Sequence, residues 1–234
     1  MKGEGFELFG RAHLTVIVVI IIVTASAVKI CTGSGRTRLL RATALLLPAV
    51  EILKIIFLIR QGSFGIGYLP LHLCSLSVFL YPLYVFLKPG KVKNFLGDFS
   101  CLVLLPAALG AILFPDWTMY PLLSVLSLSS FIWHTLQVIL PVCILFTGEA
   151  RPGFKSVWKC ILFLLVLAVP VYLFDRHFSC NYWFLLSPVP GPLKLLYDSF
   201  GYSLYLPALA GTVSLIIFAM EILISRFDKA ERLT

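Results

Sequence analysis

Residues 13–31, HLTVIVVIIIVTASAVKIC, form an almost unbroken apolar run that decides the fold class. About 20 helical residues cross a bilayer core that is about 30 Å thick, so a run of this length predicts a membrane-spanning helix. The run is too long for the apolar part of a signal peptide, and it lacks the basic segment that precedes one. We therefore expect a span that is retained in the mature protein.

The composition of the whole chain supports this prediction. Apolar residues make up 59% of the 234 residues, charged residues make up 13%, and the mean hydropathy is +0.97. A soluble domain is nearer half apolar and a quarter charged. The net charge of +8 lies in short basic clusters between apolar runs rather than in a stripe interleaved with aromatic residues. The composition excludes a soluble enzyme, a disordered tail and a nucleic-acid-binding domain, and membrane lipids are the expected partners.

Six further apolar runs predict an all-α, polytopic membrane bundle that forms a single integral domain over residues 1–234. Helices are expected because backbone groups in lipid must be satisfied within their own segment. Three prolines within residues 188–192 exclude a regular helix from that stretch of the long connection before the last span. The seven predicted spans are 13–31, 42–61, 69–88, 97–114, 119–147, 157–175 and 203–225.

The basic residues of the loops predict the orientation of the bundle. Thirteen lie on one side and five on the other, and basic residues accumulate in cytoplasmic loops. We therefore expect the N-terminus outside and the C-terminus in the cytoplasm, in a multi-pass protein that would occupy the cytoplasmic membrane if it is bacterial. The thirteen are Lys29, Arg36, Arg38, Arg41, Lys88, Lys91, Lys93, Arg151, Lys155, Lys159, Arg226, Lys229 and Arg232, and the five are Lys2, Arg11, Arg60, Arg176 and Lys194.

Two charged residues lie in the middle of the second predicted span. An ionisable group there costs about 2.5–3.5 kcal/mol on insertion scales, so each needs compensation. Glu51 and Lys54 are three residues apart, share one helix face and are expected to pair. The pair either orients a substrate as part of a site wall or only locks this helix against its neighbours.

The third predicted span opens with LPLHLCS, residues 69–75, which combines a histidine with a cysteine. Pro70 suits the first position of a helix, so His72 and Cys74 are expected in its first turn and a half. Amides and the dipole at a helix start favour negative charge, which makes Cys74 a candidate thiolate nucleophile. A disulfide between Cys74 and Cys180 is the rival hypothesis, and it would abolish thiol chemistry.

His134 lies deep in the fifth predicted span, with Gln137 on the same helix face. Its depth below the outer boundary is about 10 Å at 1.5 Å per residue, close to roughly 7 Å for Cys74. A Cys thiolate with a nearby His is the minimum for nucleophilic acyl transfer. Alternatively, His134 bonds Gln137 or a carbonyl and only ties helices together.

Other chemical signatures are missing from the sequence. It contains no phosphate loop, no dinucleotide fingerprint, no Gly-x-Ser-x-Gly elbow and no metal-ligand spacing. We therefore expect neither a cofactor nor a metal.

Over essentially its whole length the chain resembles the YwaF-like bacterial integral membrane proteins. The resemblance rests on Glu51-x-x-Lys54, the stretch at residues 69–75, His134, and Asn181-Tyr182 with the prolines that follow. Eukaryotic relatives of that family are similar to acyltransferases that remodel ether phospholipids with a membrane-embedded Cys and His. The family is also distantly similar to membrane hydrolases of hydroxy-fatty-acid esters. The resemblance implies that Cys74 is the nucleophile and His134 its base.

Three hypotheses about function follow. In a lipid acyltransferase, Cys74 attacks an acyl ester, His134 moves the proton and a lysophospholipid or other alcohol accepts the chain, with Asn181 or helix-end amides stabilising the oxyanion. In a transporter or binding protein for a small solute, the intramembrane charged residues form a polar pocket or proton relay. A scaffold without chemistry is the third. The candidate substrate-binding residues are His72, Glu51, Lys54, Gln137 and Asn181, and the relay would use Glu51, Lys54, His72 and His134.

Overall fold

A computed structural model describes residues 5–231, without the side chains of residues 229–231. Over this range the chain is helical and contains no strand. Six of its helices are long and apolar enough to cross a membrane, and a seventh apolar helix is shorter. The predicted all-α, polytopic membrane fold is therefore confirmed. Lys2 and Arg232, which entered the orientation argument, lie outside the described residues, as does the side chain of Lys229.

The helices follow one another through short connections. They are α1 (Arg11–Cys31), α2 (Arg36–Arg60), α3 (Ser77–Phe86), α4 (Lys91–Phe99), α5 (Leu105–Leu113), α6 (Val125–Phe146), α7 (Phe154–Phe178) and α8 (Pro192–Glu231). Two 3₁₀ turns, Ile66–Tyr68 and Cys74–Leu76, precede α3, and a π-helical turn, Ser100–Leu104, joins α4 to α5.

α4 and α5 form one membrane-spanning helix, Lys91–Leu113, that is widened in its middle. Pro106 has no N–H to donate, so a regular α-helical ladder cannot continue through it. The π-helical turn immediately before this proline absorbs the mismatch, and the Ser100 hydroxyl donates to the carbonyl of Leu96 at 2.7 Å. The helix begins six residues before the predicted start at 97, because the polar first turn continues the same helix.

The third predicted span differs most from the structure, because its helix begins at Cys74 rather than at Pro70. Leu69 is extended, as a residue before proline prefers. The N–H of Leu71 then donates to the carbonyl of Leu69 at 2.8 Å, which closes a tight turn around Pro70 instead of a helical turn. The helix Cys74–Phe86 has 13 residues and is about 20 Å long, too short to cross a 30 Å core.

The non-helical stretch before Cys74 completes this crossing. At its far end, the Tyr84 hydroxyl donates to Glu149 at 2.7 Å, and Glu149 pairs with Arg36 at the start of α2. α3 therefore ends where α2 begins, and the two run antiparallel. Residues 61–73 must lead the chain from the end of α2 back to the depth of Cys74. The third span is a half-helix preceded by irregular backbone.

α6 is the central helix of the bundle. It packs against α1, α2 and α5 and against the π-helical turn. Its inward residues are buried along its whole length, from Ser127 through Gln137 to Ile144. Ser124 caps its start by accepting from the N–H of Ser127 at 3.2 Å. The helix therefore begins at Val125, later than the predicted 119, because residues 119–123 form turns around Pro121.

α8 is longer than the predicted span 203–225 because it includes a short helix before the span. The two parts meet at Gly201, whose φ of 70° and ψ of 174° break the helix. Most side chains are strained at a positive φ, which explains a glycine at this corner. The first part, residues 192–200, carries a Lys194–Asp198 pair at 3.0 Å on its exposed face.

We count the half-helix and the irregular segment before it together as one crossing. The predicted orientation, with the N-terminus outside and the C-terminus in the cytoplasm, is therefore unchanged. With seven crossings we expect the two termini on opposite sides, and the basic clusters favour a cytoplasmic C-terminus. We expect a reporter fused to the C-terminus to be active only on the cytoplasmic side, and one fused to the N-terminus to be active only outside. Activity of both reporters on the same side would mean that residues 61–86 do not cross.

Candidate functional site

The start of the half-helix docks against the middle of α6. The Gln137 side-chain amide donates to the carbonyl of Cys74 at 3.2 Å, and the Tyr81 hydroxyl donates to the carbonyl of Gln137 at 2.7 Å. Gln137 is fully buried. The carbonyl of Cys74 also accepts from the Ser77 hydroxyl at 2.7 Å. These bonds hold Cys74 at one position against α6, and we call its surroundings the Cys74 site: Cys74, Gln137, His134, His72, Lys54 and Glu51.

The Cys74 thiol is half-buried. It lies next to the side-chain amide of Gln137, which donates to the carbonyl of the same cysteine. The thiol also lies at the positive end of the helix Cys74–Phe86, which favours negative charge. Cys74 and Cys180 are both free thiols.

His134 is nearly buried, and one of its ring nitrogens is occupied. Nδ1 lies 2.7 Å from the carbonyl of Ser130, and a carbonyl only accepts, so Nδ1 carries the proton. The neutral ring therefore has its lone pair on Nε2, the form that a general base requires. Trp117 stacks on the ring with centroids 5.2 Å apart, and Trp133 packs edge-on at 5.0 Å.

His134 lies farther below the start of its helix than the sequence predicted. It lies nine residues after the start of α6 at Val125, which is about 14 Å at 1.5 Å per residue. Glu51 lies nine residues before the end of α2 at Arg60, at the same depth. The difference from the predicted 10 Å arises because α6 begins at Val125. Among the described residues no hydrogen bond joins Cys74 to either His134 or His72.

The ion pair that the i, i+3 spacing predicts is present on α2. Lys54 Nζ lies 2.7 Å from Glu51 Oε1, and Glu51 is only 5% exposed. Lys54 also interacts electrostatically with His72 and with His134, and these two histidines interact with each other. Lys54 thus links residues from three segments that are far apart in the sequence.

A loop after α7 covers the irregular backbone that leads to Cys74. The Tyr182 hydroxyl donates to the carbonyl of Ile66, and the Trp183 indole donates to the carbonyl of Leu71 at 2.9 Å. His72 packs edge-on against Tyr182, with centroids 4.8 Å apart. Burial raises the pKa of Tyr182 to about 12, so its hydroxyl stays protonated and remains a donor at neutral pH.

Asn181, a candidate for oxyanion binding, is engaged within this covering loop. Its amide nitrogen donates to the carbonyl of Ser187 at 2.8 Å, and its oxygen accepts from the N–H of Leu186 at 3.1 Å. The fully buried Asp175 anchors the other end of the loop by accepting from the N–H of Tyr182 at 2.9 Å. The contacts of Asn181 therefore hold the loop in shape. Any effect of this side chain on Cys74 is indirect and acts through the loop.

Several polar atoms around His134 are buried without a partner in the described part of the chain. They are Oε1 of Gln137 and the indole nitrogens of Trp117 and Trp133. A buried unpaired polar group costs about 1–3 kcal/mol, so such a group points to a missing partner. One acceptor and two donors near the same imidazole indicate a place where a polar ligand group or water binds.

The sequence did not single out Trp117, Trp183 or Asp116 for the site. Trp117 and Asp116 lie in the short connection before α6, and Asp116 acts electrostatically on Cys74. An indole in a connection is a weak signal, because tryptophan is common at membrane interfaces. The sequence also left His13 without a role. It is fully buried and both nitrogens are used, Nε2 with the carbonyl of Ile112 at 2.9 Å and Nδ1 with the N–H of Phe9 at 3.1 Å.

No group of three or more His, Cys, Asp and Glu side chains in the described residues could hold a metal ion.

The buried ion pair on α2 generates a stability prediction. Removing one partner leaves an uncompensated charge, which costs about 3–5 kcal/mol in soluble cores. We expect Glu51→Gln and Lys54→Met each to lower the melting temperature of the detergent-solubilised protein more than the double variant does. Lys194→Met, which breaks an exposed pair, is the control and should have little effect. Simple addition of the two single losses in the double variant would show that the residues are not coupled.

Nearly the whole chain is similar to one protein family. The model of the TMEM164 family matches residues 8–224. No curated protein and no solved structure is similar enough to match. The match includes every residue of the Cys74 site and six helices long enough to span a bilayer. The chain is thus an integral, multi-pass membrane protein, and it belongs to the TMEM164 family.

Proposed function

We propose that this protein transfers acyl chains between phospholipids or lysophospholipids, with Cys74 as the nucleophile and His134 as the general base. The observation that carries the proposal is the position of Cys74, at the start of a half-helix that is held against the middle of α6 by the Gln137 side chain. The resemblance of residues 69–75 to YwaF-like proteins and their acyltransferase relatives supports the same assignment.

In the first half-reaction Nε2 of His134 takes the thiol proton, and the sulfur attacks the carbonyl carbon of a phospholipid acyl ester. The carbon–oxygen bond to the glycerol then breaks, and the departing oxygen takes the proton back from His134. The products are an acyl thioester on Cys74 and a lysophospholipid. The two residues meet when a lipid binds, because catalytic hydrogen bonds in unliganded sites are often long.

In the second half-reaction the hydroxyl of an acceptor lipid attacks the thioester. His134 takes the hydroxyl proton, the carbon–sulfur bond breaks, and the proton passes to the departing thiolate. The acyl chain has moved from one oxygen to another, with no net oxidation and no net consumption of water. The apolar bundle favours transfer over hydrolysis, because the bilayer supplies lipids directly to a site about 14 Å below the start of α6.

The negative oxygen of both tetrahedral intermediates requires donors that point at it. We assign this role to the N–H groups at the start of the half-helix and to the side-chain amide of Gln137, which already donates to the carbonyl of Cys74. Helix-end amides are the donors expected from the sequence, and the Gln137 side chain of α6 adds a further donor. Asn181 contributes by holding the covering loop in place.

The other charged residues of the site bind the polar part of the lipid. Lys54 is partly exposed and pairs with Glu51, and its positive charge also acts electrostatically on the two histidines. A lysine in this position can accept a phosphate or ester oxygen while Glu51 keeps the empty site neutral. His72 lines the same side, against Tyr182.

A solute transporter is the second candidate, favoured by one observation. Glu51, Lys54, His72 and His134 form a continuous set of interacting titratable groups inside the bundle. Such sets carry protons in transporters. In that case the thiol of Cys74 would be dispensable.

The first test removes the nucleophile and the base. We expect Cys74→Ser and His134→Ala each to lower acyl transfer between phospholipids in liposomes by at least about 10³-fold, since such residues act as a unit. An electrophilic lipid-like probe should label Cys74 in the wild type and label it more slowly in His134→Ala. Cys180→Ser removes a half-buried thiol outside the site and should retain activity. Full activity of Cys74→Ser would overturn the proposal, and proton-coupled uptake that survives in this variant would favour the transporter.

The second test concerns the oxyanion donors. Gln137→Met keeps the side-chain volume but removes the N–H donor, and we expect acyl transfer to fall by about 10²- to 10³-fold. Ser77→Ala removes a different hydrogen bond to the same Cys74 carbonyl and should retain most of the activity. Equal losses in both variants would assign Gln137 a structural role only, and melting curves of both variants report whether the fold is retained.

A further inference from the structure

A second polar pocket lies at the opposite end of the bundle from the Cys74 site. It has a volume of about 200 Å³ and is formed where α2 begins, α3 ends, α4 begins and the chain leaves α6. Its charged lining residues are Arg36, Arg41, Lys93 and Glu149. The basic clusters of the loops predict that this end is cytoplasmic.

The single carboxylate of the pocket is already occupied. Glu149 pairs with Arg36 through one oxygen and accepts from the Tyr84 hydroxyl at 2.7 Å through the other. The pocket as a whole carries a net charge of +2. Among the described residues neither Arg41 nor Lys93 forms an ion pair with a carboxylate.

These two cations are held in place by weaker contacts. The Arg41 guanidinium lies 5.9 Å from the centroid of the Phe86 ring. Lys93 Nζ lies 5.0 Å from the centroid of the Tyr84 ring and donates to the carbonyl of Leu87 at 3.3 Å. Cation–π contacts leave the N–H donors of both side chains available, so the two charges are oriented but not neutralised.

We propose that this pocket binds the phosphate-bearing headgroup of an anionic phospholipid. An arginine fork matches the oxygens of a phosphate, and a lysine adds a point charge. A phosphate monoester carries a charge of about −1.5 to −2, which matches the net charge of the pocket. Basic pockets between membrane helices on the cytoplasmic side are a recurrent type of lipid site.

The surroundings favour a lipid over a free phosphate. Phe86 and Val92, beside the pocket on α3 and α4, are 57% and 60% exposed, so large apolar side chains lie next to its cations. Exposed apolar surface at the end of a spanning helix contacts acyl chains, and the charges therefore lie at headgroup level. The inference does not depend on the acyl-transfer proposal, because the pocket shares no residue with the Cys74 site.

The experiment uses the full chain in nanodiscs of phosphatidylcholine with a small fraction of phosphatidylinositol 4-phosphate. Native mass spectrometry measures the lipid that is retained. We expect Arg41→Gln/Lys93→Gln to lower retention by about tenfold or more. Lys155→Gln/Lys159→Gln removes the same charge from the same end outside the pocket, and retention should be close to that of the wild type. Equal losses of retained lipid in the two double variants would show that general surface charge, and not the pocket, holds the lipid. That result would overturn the proposal.

Two further arms separate the remaining outcomes. Arg41→Lys keeps the charge but loses the planar guanidinium, so we expect it to retain an intermediate amount of lipid. This variant replaces the double variant in the comparison if the double variant does not fold in neutral lipid. Soluble inositol 1,4-bisphosphate and inorganic phosphate are added as competitors to the wild type. Displacement of the lipid by inorganic phosphate at an equal concentration would overturn the assignment to a lipid headgroup.

Discussion

A bilayer offers the protein backbone no hydrogen-bond partners, and the whole arrangement around Cys74 depends on this constraint. The third crossing is broken, because Pro70 closes a turn and the helix begins only at Cys74. Carbonyl groups of the broken segment must therefore be satisfied by side chains from elsewhere. The Trp183 indole donates a hydrogen bond to the carbonyl of Leu71, and the Gln137 side chain donates one to the carbonyl of Cys74. Gln137 thus both satisfies the irregular backbone and forms part of the Cys74 site.

The same break lies at the depth where titratable groups gather in the middle of the bundle. A half-helix presents its N-terminal amides and dipole at membrane depth, where an unbroken helix would present only side chains. α2 brings the Glu51–Lys54 pair to this level and α6 brings His134, each about 14 Å from the nearest end of its helix. A low-dielectric setting strengthens every interaction among these groups, which makes their mutual geometry decisive for chemistry.

The two polar sites of the molecule differ in what balances their charge. At the Cys74 site the Lys54 ammonium has its carboxylate partner within the same helix, and the empty site is close to neutral. At the other end, Glu149 neutralises Arg36 and leaves Arg41 and Lys93 oriented only by aromatic rings. The first arrangement suits a neutral ester that is bound and released, and the second suits a persistent anion.

The sequence by itself determined the fold class, six of the seven predicted spans and the pairing of Glu51 with Lys54, because hydrophobic length and helical spacing are local properties. It also indicated Cys74, His134 and Gln137, since polar groups in apolar runs are costly and few. Only the tertiary structure decided that the third helix starts at Cys74 and that a loop about 110 residues later covers the segment before this helix. It also decided that Asn181 forms its hydrogen bonds within that loop. Those features depend on which distant side chain satisfies which backbone carbonyl. Spacing along the chain does not encode such partners, because they meet only when the helices pack.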